Sequence, residues 1–149
     1  MSSQADDAGP PGERRWLVLY DGECSLCMWL LALLLRLDGE RRLRPAALQG
    51  AEAERLLADL APAERMTSWH LISPQGRRDS AGAALPSVMR LLRFGRLPAD
   101  VLSRLPGPTE RGYRWVADHR TQLSRFVAPG AKRRAARYVR RREQESAAI

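Results

Sequence analysis

Cys24 and Cys27 are the only cysteines in the chain, spaced as Cys24-Ser25-Leu26-Cys27. Two thiols at that spacing can cycle between a dithiol and a disulfide, so the first chemistry they suggest is thiol–disulfide exchange. Exchange needs a thiolate, and a free cysteine is mostly protonated near neutral pH. A short apolar run, Trp16-Leu17-Val18-Leu19-Tyr20, precedes the pair, and a run of strong helix formers, Leu26 to Leu37, follows it. A cysteine at the start of that helix would face unpaired backbone N–H groups and the positive end of the helix dipole, which favour an anion. Cys24 is therefore the expected nucleophile, and Cys27, one turn further in, the expected resolving thiol. Asp21 stands three residues before Cys24. Its two candidate roles are proton acceptor for the resolving thiol and loop-structuring carboxylate through an Asx turn.

Competing uses of the two thiols find less support. A zinc site would need two more ligands, and the only histidines, His70 and His119, lie far apart without metal-ligand spacing. No metal and no cofactor are expected. His70 falls in a predicted strand, on the face of Ser68 and Ile72, and reads as a packed, hydrogen-bonded histidine. Trp16 and Trp29 read as core. Arg120 would favour a thiolate if it came near one, but no sequence feature brings it there.

The elements that must position the pair follow from periodicity and turn residues. Residues 16–20 read as a buried strand, Asp21-Gly22 as a turn, and Leu26 to Leu37 as a helix buried on most sides, with no charge before Arg36 and Gly39 as C-cap. Arg41 to Ala47 reads as a second strand. Gly50 to Leu60 reads as an amphipathic helix with Ala53, Leu56, Leu57 and Leu60 on one face. Met66 to Ile72 is a third predicted strand, Pro74-Gln75-Gly76 a hairpin turn, and Arg77 to Asp79 a short fourth strand. Ser80 is a candidate cap for a helix from Ala81 to Phe94 with Pro86 in its first turns. A short helical piece over Ala99 to Leu105 is followed by a longer helix, Thr109 to Val127. The order β-α-β-α-β-β-α, with helices added after it, predicts an α/β fold: a thioredoxin-like mixed four-stranded sheet flanked by helices, with extra C-terminal helices.

At 149 residues one domain is expected, over 15–128, between a disordered leader at 1–14 and a basic Arg-rich tail at 129–149, helical or disordered. Five of the eight net positive charges fall within 130–149. Three readings of the tail stay open: a solvated extension, a surface for anionic membranes or nucleic acid through non-specific charge, and a contact for acidic partner proteins. No specific nucleic-acid motif accompanies it. The leader lacks a basic n-region and an apolar h-region, no apolar run is long enough to span a membrane, and no cysteine is left for a disulfide framework. A cytoplasmic location follows as an expectation.

With Tyr20-Asp21-Gly22-Glu23-Cys24-Ser25-Leu26-Cys27 in view, the chain resembles the DCC family of thiol-disulfide oxidoreductases, named for an Asp-x-x-Cys-x-x-Cys arrangement that Asp21, Cys24 and Cys27 match. The resemblance extends from about Trp16 to Phe126. Arg44-Pro45-Ala46-Ala47-Leu48-Gln49, Asp79-Ser80-Ala81 and Tyr113-Arg114-Trp115 through His119-Arg120 carry it further. It implies a thioredoxin-like fold and a disulfide oxidoreductase activity on a disulfide-containing protein or a small thiol substrate. Thioredoxins proper place a cis-proline before the third strand, against the substrate. Here Met66 and Thr67 stand at that approach, and Thr67 is the candidate substrate-binding residue in its place. The alternative to an enzyme is a non-catalytic thioredoxin-like binding module that docks on anionic partners through its basic tail.

Overall fold

The computed structural model describes residues 15–93 and 95–148. The leader expected over 1–14 lies outside them, as do Phe94 and Ile149. Strand β1 (Trp16–Tyr20) leads into helix α1 (Ser25–Leu37), and then come β2 (Leu43–Ala47), α2 (Ala51–Leu56), α3 (Pro62–Arg65), β3 (His70–Ile72) and β4 (Arg78–Ser80). A 3-10 turn at Ala81–Ala83 opens α4 (Ala84–Leu91), and α5 (Arg96–Arg104), α6 (Pro106–Asp118), α7 (Arg120–Ser124) and α8 (Pro129–Ala147) follow. The sheet order is β2-β1-β3-β4, with β1 parallel to β2 and antiparallel to β3, and β3 antiparallel to β4. The chain thus has the thioredoxin-like α/β fold.

Alternation along β1 explains the two-sided core. Val18 and Tyr20 face one side, where they meet Met28, Leu31 and Leu35 of α1, Val88 of α4 and Val139 of α8. Leu17 and Leu19 face the other, against Ala53 and Leu57 around α2. A strand buried on both faces reads as a continuous apolar run, as 16–20 does. The hairpin forms as expected: Gly76 adopts φ +86, which only glycine takes without strain, and its N–H reaches the Ser73 carbonyl at 2.9 Å.

Several boundaries differ from expectation, each for a local reason. The third strand is shorter than 66–72, because the amides of Met66 and Thr67 turn back to the carbonyls of Ala63 and Glu64 and close α3. The second amphipathic helix stops at Leu56 rather than Leu60, although Leu57 and Leu60 still pack on its core face. Gly39 is not the helix cap: Asp38 is, and the left-handed residue in that turn is Arg41, at φ 54. Ser80 makes no side-chain cap, since its hydroxyl bonds His70. The helix expected over 109–127 starts at Pro106 and breaks at His119, whose Nδ1 sits 2.7 Å from the Trp115 carbonyl and whose ring stacks on Trp115.

The basic segment 129–149 is largely helix α8, packed along α1 and β2. Ala135, Val139 and Arg142 fall on one face and are buried. The Arg142 guanidinium donates to the Leu35 carbonyl at 3.2 Å and the Tyr138 hydroxyl at 3.1 Å, and lies 3.7 Å from Asp38 Oδ2. Asp38 in turn accepts the amides of Arg42 at 3.0 Å and Leu43 at 2.8 Å, which fixes the turn from α1 into β2. Next to it, Glu143 accepts from the Tyr20 hydroxyl at 2.7 Å and from the Ala47 amide at 3.1 Å, covering the outer strand β2. Burial, and then this bond to Glu143, push the Tyr20 pKa up.

Gly82 is a close-approach position. A Cβ there would lie 2.5 Å from Glu110 Oε2 and 2.8 Å from Glu110 Cα, while the Gly82 amide donates to that same carboxylate at 2.9 Å. Gly82→Ala should therefore push α6 off the turn and cost about 1–3 kcal/mol in urea unfolding. Arg142→Met leaves the Asp38 carboxylate buried without its cation. It should cost about 3 kcal/mol in the same assay, whereas Arg137→Met on the exposed side of α8 should cost about 0.5 kcal/mol or less.

Candidate redox site

The loop from β1 to α1 is built around one carboxylate. Asp21 Oδ1 accepts the Glu23 amide at 2.9 Å, an Asx turn, and also the Gln49 side-chain amide at 2.8 Å. Gln49 Oε1 closes the ring by accepting the Gly22 amide at 3.1 Å. A side chain on Gly22 would come within 3.2 Å of that oxygen, so the glycine permits the approach. The Asp21 carbonyl accepts the Cys24 amide at 3.3 Å and turns the chain into α1. Of the two roles expected for Asp21, these contacts are those of the loop-structuring one.

Cys24 is the N-cap of α1. Its extended backbone, φ −94 and ψ 107, aims Sγ back over the first turn, where it accepts the Cys27 amide at 3.3 Å. A thiolate there stands where a serine or aspartate oxygen usually does. Both cysteines are partly buried free thiols. The hydrogen bond from the Cys27 thiol pulls the Cys24 pKa down to about 6 against the opposing effect of burial, and the Cys27 amide and the charge of Arg120 assist, while Asp21 opposes. Cys27 moves strongly the other way: it donates to Cys24, it is more deeply buried, and it faces the neighbouring negative charge. The pair is polarised into an anionic sulfur at the helix end and a protonated one behind it.

Arg120 comes to this site from the other end of the chain. It opens α7 just after the break at His119, and its Nη1 lies 3.9 Å from Asp21 Oδ2. The α7 helix is fastened to the motif by Ser124, whose hydroxyl is 3.4 Å from that of Ser25. Tyr113 of α6 places its hydroxyl 3.4 Å from the Trp69 amide, just before β3. Burial raises its pKa. The loop before β3 is thus covered by α6.

Thr67 lies on that loop and is exposed. Its hydroxyl donates to the Glu64 carbonyl at 2.7 Å, capping the last turn of α3. His70 is buried as expected, with Nε2 3.1 Å from the Arg65 carbonyl and Nδ1 2.6 Å from the Ser80 hydroxyl, and burial lowers its pKa. Among the described residues no group of three or more His, Cys, Asp or Glu is placed to hold a metal ion, and no helix is long and apolar enough to cross a membrane. Gln49 and Tyr113 were legible only as members of family-like stretches, and Arg120 only as a residue of fitting charge.

A family model described as DCC1-like thiol-disulfide oxidoreductase matches residues 18–126, a span that includes Cys24, Cys27, Gln49, Tyr113 and Arg120. No curated protein and no solved structure matches the chain.

The electrostatics give a signed expectation. Because the Cys24 pKa is depressed, its alkylation by iodoacetamide should rise as pH increases through about 6 and level off above it. Removing the cation in Arg120→Gln should move that inflection upward, by roughly half a unit because the guanidinium is half exposed and screened. The shift should shrink at high salt.

Proposed function

The chain belongs to the DCC1-like thiol-disulfide oxidoreductase family, and from that premise and the site geometry we propose that it is an enzyme reducing disulfides through Cys24 and Cys27. The observation that carries the reading is the placement of the pair: Cys24 at the N-cap of α1, its Sγ accepting the Cys27 amide at 3.3 Å, with the Cys27 thiol one turn behind it.

The Cys24 thiolate attacks one sulfur of a substrate disulfide. A sulfur–sulfur bond forms between Cys24 and the substrate, and the other substrate sulfur leaves as a thiolate and takes a proton from solvent. Cys24 is then neutral, and the negative charge that held Cys27 protonated is gone. Cys27 can now lose its proton and attack Cys24 Sγ. This forms the Cys24–Cys27 disulfide and releases the second substrate thiol. Two electrons pass from the dithiol to the substrate, and an external dithiol returns them. The helix N-terminus stabilises the Cys24 thiolate at both ends of the cycle, as the attacking group and as the leaving group.

Asp21 acts in this scheme as a positioning residue. It holds the loop through Oδ1 and Arg120 through Oδ2, so that the cation balances the carboxylate beside the thiolate. Thr67 donates both its hydroxyl and its amide to the Glu64 carbonyl, so a substrate contact at this exposed residue would use its hydroxyl oxygen as acceptor, its carbonyl or its methyl group. A reducing role places the protein in the cytoplasm, in keeping with a chain whose only two cysteines form the redox pair. The second reading, a non-catalytic module that docks on anionic partners through its basic segment, rests on Arg133, Arg134, Arg137, Arg140 and Arg141, which α8 leaves exposed while it buries Arg142, but it gives the cysteine pair no role.

Cys24→Ser should abolish reduction of bis(hydroxyethyl) disulfide in the presence of an external dithiol. Cys27→Ser should keep the first step and accumulate a covalent mixed disulfide, seen as a mass increase that the reductant reverses. Full turnover by Cys24→Ser would exclude the scheme.

A further inference from the structure

Beside the cysteine pair the surface opens into an apolar groove of about 580 Å³. Leu26, the residue between the two cysteines on their own helix turn, forms its inner end. Trp29 and Leu30 continue it along α1, and Val116 of α6, Leu123 of α7 and Phe126 close the other side. Leu30 is 40 % exposed and Phe126 is 88 % exposed. Leu33 and Leu37 extend the same α1 stripe at helical spacing and are also exposed. The groove starts at the residue between the two cysteines, is lined by apolar side chains and is of a size that takes a few of them, as a docking surface would be.

Charge identifies the kind of occupant. The segment 111–134, which supplies the far wall and floor of the groove, carries Arg111, Arg114, Arg120, Arg125, Lys132, Arg133 and Arg134 against a single carboxylate, Asp118. Arg114 is paired to Glu110 and Arg120 leans on Asp21. An occupant that is apolar where it enters the groove and acidic beyond it would be complementary on both counts.

We propose that the groove is the substrate-docking site. It takes a protein segment with large apolar side chains next to the cysteine of its disulfide and carboxylates further along, and aligns that disulfide with Cys24. This rests on the disulfide-reducing reading of the same site.

The test uses the full chain and synthetic cysteine peptides carrying nitrothiobenzoate as the second half of a mixed disulfide. One peptide has Leu and Phe beside the cysteine and Glu beyond them. A second replaces the apolar pair by Gly and Ser, and a third replaces Glu by Lys. Expected is a kcat/KM at least tenfold higher for the first peptide than for the second, with the third intermediate and less sensitive to salt. Leu30→Ser and Phe126→Ser alter exposed side chains, so both should fold with unchanged melting temperature. Each should lower the ratio of peptide to bis(hydroxyethyl) disulfide kcat/KM by tenfold or more. Anisotropy titration of the same peptides with serine in place of cysteine should give the same ranking without any turnover. Equal kinetics and equal binding for the three peptides overturn the docking site even where the small disulfide is reduced. Failure to reduce the small disulfide, with the binding ranking intact, overturns the redox reading and leaves the groove. Vesicles of anionic phospholipid that bind the protein and displace the first peptide would assign the groove to membrane instead and overturn the proposal.

Discussion

Helix α1 carries no charge before Arg36, and the rest of the chain buries its face of Met28, Leu31, Ala32 and Leu35 while Leu30, Leu33 and Leu37 stay exposed. The sheet covers one side through Val18, Tyr20 and Leu71, α4 adds Val88 and Leu92, and α8 lies along another side with Ala135 and Val139. Burying so apolar a helix is favourable at about 25 cal/mol per Å² of surface removed from water. It also fixes the helix rigidly in the domain, and the reactive sulfur is carried on the N-cap of that same helix. The precision of the redox site therefore derives from the packing of α1 and owes little to contacts made by the cysteines themselves.

The two ends of α1 are treated in matched fashion. At the N-terminus, free amides meet the Cys24 sulfur. At the C-terminus, the Arg142 guanidinium takes the Leu35 carbonyl and faces the buried Asp38, whose oxygens hold the first amides leading into β2. Negative charge at one end and positive charge at the other both follow the helix dipole. The same helix α8 that provides Arg142 also provides Glu143 for Tyr20 and Ala47, so a segment rich in arginine closes the core and shields the outer strand.

Much of this was legible in the residues. An apolar pentad before the cysteines, an apolar helix after them and Pro74-Gln75-Gly76 between two short strands were enough for the order of elements and for the position of Cys24 at a helix start. Less legible were features in which one residue answers a distant one. Ser80 looks like a helix cap and serves His70 instead. The packing of segment 129–149 was hard to read because Ala135, Ala136, Tyr138 and Val139 make a short apolar stripe among many cations, and one of those cations, Arg142, is itself buried with its guanidinium bonded to Leu35.

The local chemistry belongs to the sequence by itself: two thiols one helical turn apart, a carboxylate three residues before them that can cap its own loop, and a largely apolar helix that follows. These depend on bonds and spacings within about ten residues, where chain geometry leaves few choices. The tertiary structure alone decided what surrounds them. Arg120 and Ser124 lie about a hundred positions beyond the motif, yet meet Asp21 and Ser25 because α6 breaks at His119 and turns α7 back over α1. Tyr113 reaches the loop before β3 because α6 seats on Gly82. Such neighbours are set by how helices pack, and packing depends on the shape of all the faces at once, which no local window of residues contains.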